Sequence, residues 1–159
     1  MNIQNSENRE EAIVMLNDLI KINESRHNEF KVYTEMIRKN AGLKQILEES
    51  SNESELFVNE LRQCLKILQQ VENVYSDNGK IHRGWMDLRA SFSDEMNRTI
   101  LDSCEYGDQA TLKAYEQVLD PNVPFADEIR DRLVGQRKRI LNSYERIKKL
   151  SKRLNKIDI

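Results

Sequence analysis

The sequence predicts an all-α protein built as a bundle of four long helices. Apolar residues recur at three- and four-residue spacing along most of the 159 residues. Only five Gly and two Pro interrupt the chain, so helices run long before a breaker is met. No stretch alternates with the two-residue period of a strand, and no internal repeat is found. A content of 38% hydrophobic and 33% charged residues suits narrow inward stripes under a solvated surface. One domain is expected, with its core over about residues 7–155.

Helix 1 is expected from about Glu7 to Lys39, opened by Asn5 or Ser6, with the seam Ile13, Leu16, Ile20, Asn23, His27, Phe30, Thr34 and Ile37. Asn40-Ala-Gly42 breaks it. Helix 2 follows from about Leu43 to Tyr75 through Leu47, Ser50, Ser54, Phe57, Leu61, Cys64, Leu68 and Val71, and Ser76-Asp-Asn-Gly79 stops it. A short helix then carries Ile81, Trp85, Leu88 and Phe92 on one face. Capping side chains at Ser91 to Asp94 lead into helix 3, from about Glu95 to Leu119. Asp120-Pro-Asn-Val-Pro124 ends that helix and offers a first-turn proline to helix 4. Helix 4 carries Phe125, Ile129, Leu133, Ile140, Tyr144, Ile147, Leu150 and Leu154 and frays at Lys156.

Short links make helices 1 and 2 antiparallel, and likewise 3 and 4. The piece between helices 2 and 3, about residues 76–93, can span roughly one bundle length of about 35–40 Å. Such a crossover returns along the bundle and makes helices 2 and 3 parallel, the topology of ferritin-like folds.

The net charge of −2 conceals an asymmetry. Residues 130–156 hold eleven Lys and Arg against two acids, so this block carries +9 and the remainder −11. Such a block is a candidate for nucleic-acid binding. Only Tyr144 interleaves it with an aromatic ring, which argues against base stacking, and a basic helix beside acidic ones in its own bundle accounts for it. Cys64 and Cys104 sit among apolar neighbours and read as reduced core residues of a cytoplasmic protein. The N-terminal stretch has no apolar run, so neither a signal peptide nor a membrane span is expected.

His82-Arg-Gly-Trp-Met-Asp-Leu-Arg89, Cys104-Glu-Tyr-Gly-Asp108 with the following Leu112-Lys-Ala-Tyr115, and Leu16-Asn-Asp-Leu-Ile20 together resemble an uncharacterised bacterial ferritin-like family. It is a domain of unknown function, with some members linked to general stress responses. The resemblance covers about residues 12–151. It implies a four-helix bundle in a bacterial, cytoplasmic, dimeric protein, and it implies no activity. The chain departs from the family pattern at Tyr144, where members tend to carry His, and at Ser25-Arg26, where Asp-Gly is frequent.

Helix 3 poses the chemical question. Leu101, Leu112, Tyr115 and Leu119 share one face, and Glu105 and Asp108 fall on it too. Ferritin-like di-iron sites take a Glu from each of two helices and a Glu-x-x-His from each of the other two; that pair of motifs does not occur. A single divalent ion, iron or manganese, would have to use His27, Glu53, Glu105 and Asp108. The alternative is a hydrogen-bonded polar layer of Asn23, His27, Ser50, Ser54, Glu105, Asp108 and Tyr144 that sets helix register, and no metal is expected. His82-Arg-Gly-Trp85 lacks a nucleophile–base pairing. Trp85 is instead expected to dock the crossover helix, with Gly84 permitting close approach and His82 bonding a backbone carbonyl. Gly107 and Gly135 suggest tight helix contacts or local bulges.

The expected protein is therefore a non-enzymatic bundle, stress-associated or scaffolding, acting through self-association or partner binding. A degenerate metal-binding bundle and a nucleic-acid binder are the alternatives. A homodimer is expected, because Met96, Ile100, Ala110, Ala114 and Val118 on helix 3 and Leu19 on helix 1 form second apolar stripes.

Overall fold

The computed structural model describes residues 3–69, 78–92 and 99–154. These form five helices, α1 (Ile3–Met36), α2 (Ala41–Gln69), α3 (Lys80–Phe92), α4 (Ile100–Val118) and α5 (Asp127–Arg153), and among the described residues there is no strand. Helix 1 is already formed at Ile3, so Asn5 and Ser6 lie inside it rather than at its cap. It also ends earlier than the apolar pattern suggests. Asn40 is the reason: its Oδ1 accepts from Leu43 N at 2.9 Å, so Ala41 and Gly42 become the first residues of α2. The expected stretch of helix 2 beyond Gln69, with Val71, and the expected start of helix 3 at Glu95, with Met96, lie outside the described residues, as does Lys156.

Thr99, not the Ser91 to Asp94 run, caps α4, accepting from Asp102 N at 3.1 Å. α5 opens at Ala126 without a side-chain cap. Pro124 therefore stands ahead of the helix and is not a first-turn proline. Asp127 and Glu128 in the first turn and Lys152 and Arg153 in the last complement the helix dipole instead. Arg130 pins the preceding turn, donating to the carbonyls of Leu119 and Val123.

Cross-helix contacts fix the directions. Glu24 meets Arg62 while Arg9 reaches the carbonyl of Leu68, so α1 and α2 are antiparallel. Asn23 meets Tyr115 and Arg26 meets Asp108, so α4 is antiparallel to α1 as well. α2 and α4 therefore run parallel. α5 is antiparallel to both, with Arg132 on Gln63 and Arg146 on Glu49, and Tyr115 on Gln136.

α3 runs beside α1 in the same direction, from Asp18 at its start to Glu29 at Arg89. Trp85 drives its docking. The indole is buried, its Nε1 donates to Thr111 Oγ1 at 3.2 Å, and the Arg89 guanidinium lies 4.4 Å from the ring centre. Gly84, by contrast, has nothing among the described residues within 4 Å of where a Cβ would stand, and neither has Gly107 or Gly135. None of these three makes the close approach expected of it. The glycine that does is Gly79, whose Cβ would fall against Asp18 Oδ2 and within 2.5 Å of Val14 Cγ1.

Of the second apolar stripes, Met96 lies outside the described residues, Ile100 is half-buried, and the rest is covered inside the chain. Leu19, Ala110, Ala114 and Val118 are all buried, and they pack with Ile81 and Trp85 of α3 in one core cluster. These four residues are therefore packed within the chain rather than presented at its surface. The core is in two parts, a larger cluster around Leu16, Trp85, Tyr115 and Leu133 and a smaller one around Phe30, Leu43, Leu101 and Ile147. Cys64 lies in the first and Cys104 in the second, both free and buried.

Candidate functional site

A band of polar side chains lies between the two apolar clusters, at the level where α1, α2, α4 and α5 converge. Arg26 is its centre. The side chain is 2% exposed and Asp108 is completely buried. Arg26 Nε donates to Asp108 Oδ1 at 2.8 Å and Nη2 reaches Oδ2 at 3.4 Å. Nη1 donates to Ser54 Oγ at 2.8 Å and to the Ser50 carbonyl at 3.0 Å, and Nη2 also reaches Ser143 Oγ at 3.4 Å. Phe30 lies under the guanidinium, 4.7 Å from its carbon to the ring centre. The planar fork thus bridges all four long helices.

The network continues from there. Ser54 Oγ donates to Asn23 Oδ1, Asn23 Nδ2 donates to Tyr115 Oη at 2.9 Å, and Tyr115 Oη donates to Gln136 Oε1 at 2.7 Å. Ser50 and Ser143 share a short hydroxyl contact. Burial pushes the Asp108 carboxyl up and the Arg26 charge and hydrogen bonds oppose it. Burial also pushes up the Tyr115 phenol and the Cys104 thiol, so neither supplies a nucleophile at neutral pH.

Of the four residues considered as metal ligands, only Asp108 is in this centre. His27 is half-buried and turned to α2, its Nδ1 2.9 Å from both the carbonyl and the hydroxyl of Ser51. Glu53 pairs with Arg139 at 3.0 Å, and burial raises its carboxyl. Glu105 is half-buried, with its carboxyl raised first by burial and then by Asp102. One Glu-x-x-His run does occur in the sequence, Glu24-Ser-Arg-His27. Glu24 faces outward and pairs with Arg62 at 2.9 Å, so it does not converge with His27 either. Among the described residues no three His, Cys, Asp or Glu side chains come together as a metal-binding group. The donor set does not fit a di-metal centre, because the carboxylate at this level, Asp108, is already paired with a fixed cation, Arg26.

Asn23, Ser50, Ser54 and Asp108 were legible as an inward polar layer. His27 and Tyr144 bond at its margins instead, Tyr144 Oη accepting from Gln109 Nε2 at 3.0 Å. Arg26 was not legible as a member, although it lies three residues from Asn23 and four from Phe30, on the same stripe. Its inward position is the signal that could have found it.

The family model described as Domain of unknown function (DUF2383) matches residues 11–121. The chain belongs to that family. The matched stretch contains α1 from residue 11 onward and α2 to α4, with both Arg26 and Asp108, and it ends before α5, which supplies Ser143 and Gln136. No curated protein and no solved structure matches the chain. Among the described residues no helix is long and apolar enough to cross a membrane.

Proposed function

We propose that this member is a ferritin-like bundle that works without a metal at its centre, as a structural protein acting through partner binding. One observation carries the reading: the Arg26 guanidinium stands on Asp108 where the four long helices converge. Burying two or more carboxylates at that level would need bound cations to offset their charge. Here one carboxylate is offset by one side chain of the protein itself. The parallel course of α2 and α4, joined through α3, supports the ferritin-like assignment. Leu19, Ala110, Ala114 and Val118 pack with Ile81 and Trp85 of α3, so any self-association would use other surfaces.

Metal analysis of protein purified without chelator tests it, together with thermal melts in the presence of iron(II), manganese(II) or a chelator. The expected result is less than about 0.1 ion per chain and a melting temperature unmoved by either addition. One ion per chain, removed by chelator with a fall in melting temperature, would overturn the proposal.

A further inference from the structure

The start of α3 holds a buried, unpartnered ring nitrogen. His82 is 8% exposed and its Nδ1 has no hydrogen-bond partner among the described residues. The imidazole stacks on Trp85, with ring centres 5.6 Å apart and planes 22° from parallel. Its main-chain N–H, with that of Gly79, donates to Asp18. His82 therefore sits in the first turn of a helix whose amides are already committed to a buried carboxylate, where the helix dipole disfavours a further positive charge. Both aromatic rings form the seam by which α3 lies against α1 and α4.

We propose that His82 is an acid-operated latch on the crossover helix: protonation of its buried ring loosens α3 from α1 and α4 and uncovers the apolar face beneath it. Among the described residues the charged groups around the ring are few. From α1, Asp18 favours the cation and Lys21 opposes it. α4 meets this part of α3 through Thr111, which is neutral. On α3 itself Arg89 already shares the Trp85 ring, while Lys80 and Arg83 are exposed. Burial outweighs Asp18, and the ring's pKa is lowered from its ordinary 6.5.

The sign follows from proton binding. A released α3 carries an ordinary histidine and binds a proton below about pH 6.5. The docked form resists that proton until the lower pKa is reached. Docking is thus constant above about pH 6.5 and weakens as the pH falls through the interval below it, by up to about tenfold in equilibrium per pH unit. Should the ring protonate fully in place at the lower pKa, the weakening levels off there.

Trp85 is the single tryptophan, so its emission reports on this helix alone. The wild-type chain is to be titrated between about pH 7.5 and pH 5, following Trp85 emission and the hydrogen exchange of α3 amides corrected for intrinsic rate. The expected result is a reversible change in emission with its midpoint below 6.5 and a loss of α3 protection relative to α2. His82→Gln should remove the pH dependence and His27→Gln should retain it. A direct titration of the wild-type His82 ring by nuclear magnetic resonance keeps the test independent of the variant's stability. A ring pKa at or above 6.5, an unchanged emission across the range, or a transition that survives His82→Gln would each overturn the latch.

Discussion

Asp18 and Asp108 are both completely buried, and they are neutralised by different means. Asp18 accepts from two main-chain amides at the start of α3, Gly79 N at 2.9 Å and His82 N at 3.2 Å. The helix terminus supplies partial positive charge there, and among the described residues no salt bridge to Asp18 is formed. Asp108 lies in the middle of α4, where main-chain amides are already spent within the helix. It must have a side-chain partner, and Arg26 is that partner. The difference teaches what each carboxylate holds in place. A carboxylate on a helix start fixes where a connecting element docks, and one bound by a guanidinium fixes the rotation and register of whole helices.

The largest effect is expected from breaking the second arrangement. Arg26→Met leaves Asp108 buried with no counter-charge and should cost about 3–5 kcal/mol in denaturant unfolding. Pairing it with Asp108→Leu removes the stranded charge, so the double variant should recover much of that loss. If Arg26→Met shifts the midpoint by less than about 1 kcal/mol equivalent, the guanidinium is not what holds the centre.

Docking of α3 comes next. Trp85→Ala should cost about 3–5 kcal/mol if measured against global unfolding, and less if α3 releases locally before the rest. Gly79→Ala is smaller in volume but forces the added methyl into Asp18 and Val14, at an expected cost of about 1–3 kcal/mol. Equal stability of Gly79→Ala and wild type would break the comparison, since the Asp18 cap then tolerates displacement.

The smallest effects belong to the surface. Arg146 and Glu49 pair at 2.9 Å with both side chains about half exposed, so Arg146→Ala should change stability by less than about 1 kcal/mol. The Arg146 hydrogen bond holds the Glu49 carboxyl below its usual range. Its contribution is present above the unfolded carboxylate pKa and is lost as the pH falls through the lowered value. A double-mutant cycle above about 1 kcal/mol for this pair would erase the contrast with Arg26 and Asp108. Glu105→Gln should be milder still, because that carboxylate is half-exposed and lies outside the Arg26 network.

Much of this arrangement was readable from the chain alone, for a physical reason. Helical periodicity is local, so the seams through Leu16 and Phe30, Leu47 and Phe57, or Leu133 and Ile140 mark inward faces whatever their partners turn out to be. The crossover helix with Trp85 and the inward polar residues Asn23, Ser50, Ser54 and Asp108 follow from the same rule. Breakers and caps were readable less well. Asn40 serves the helix after it rather than the one before, and Thr99 displaces the earlier capping candidates.

Tertiary structure decided who faces whom. Arg26 and Asp108 are 82 residues apart, and their meeting depends on how α1 and α4 are rotated and staggered, which no local spacing specifies. The same holds for Asp18 and Gly79. It also holds for the apolar stripe of α4, which is intrinsically sticky but is covered by α3 of its own chain. A sequence sets which residues turn inward, because that depends on 3.6 residues per turn. Which inward charge meets which, and therefore whether a carboxylate needs a metal, an amide or a guanidinium, is set only when the helices pack.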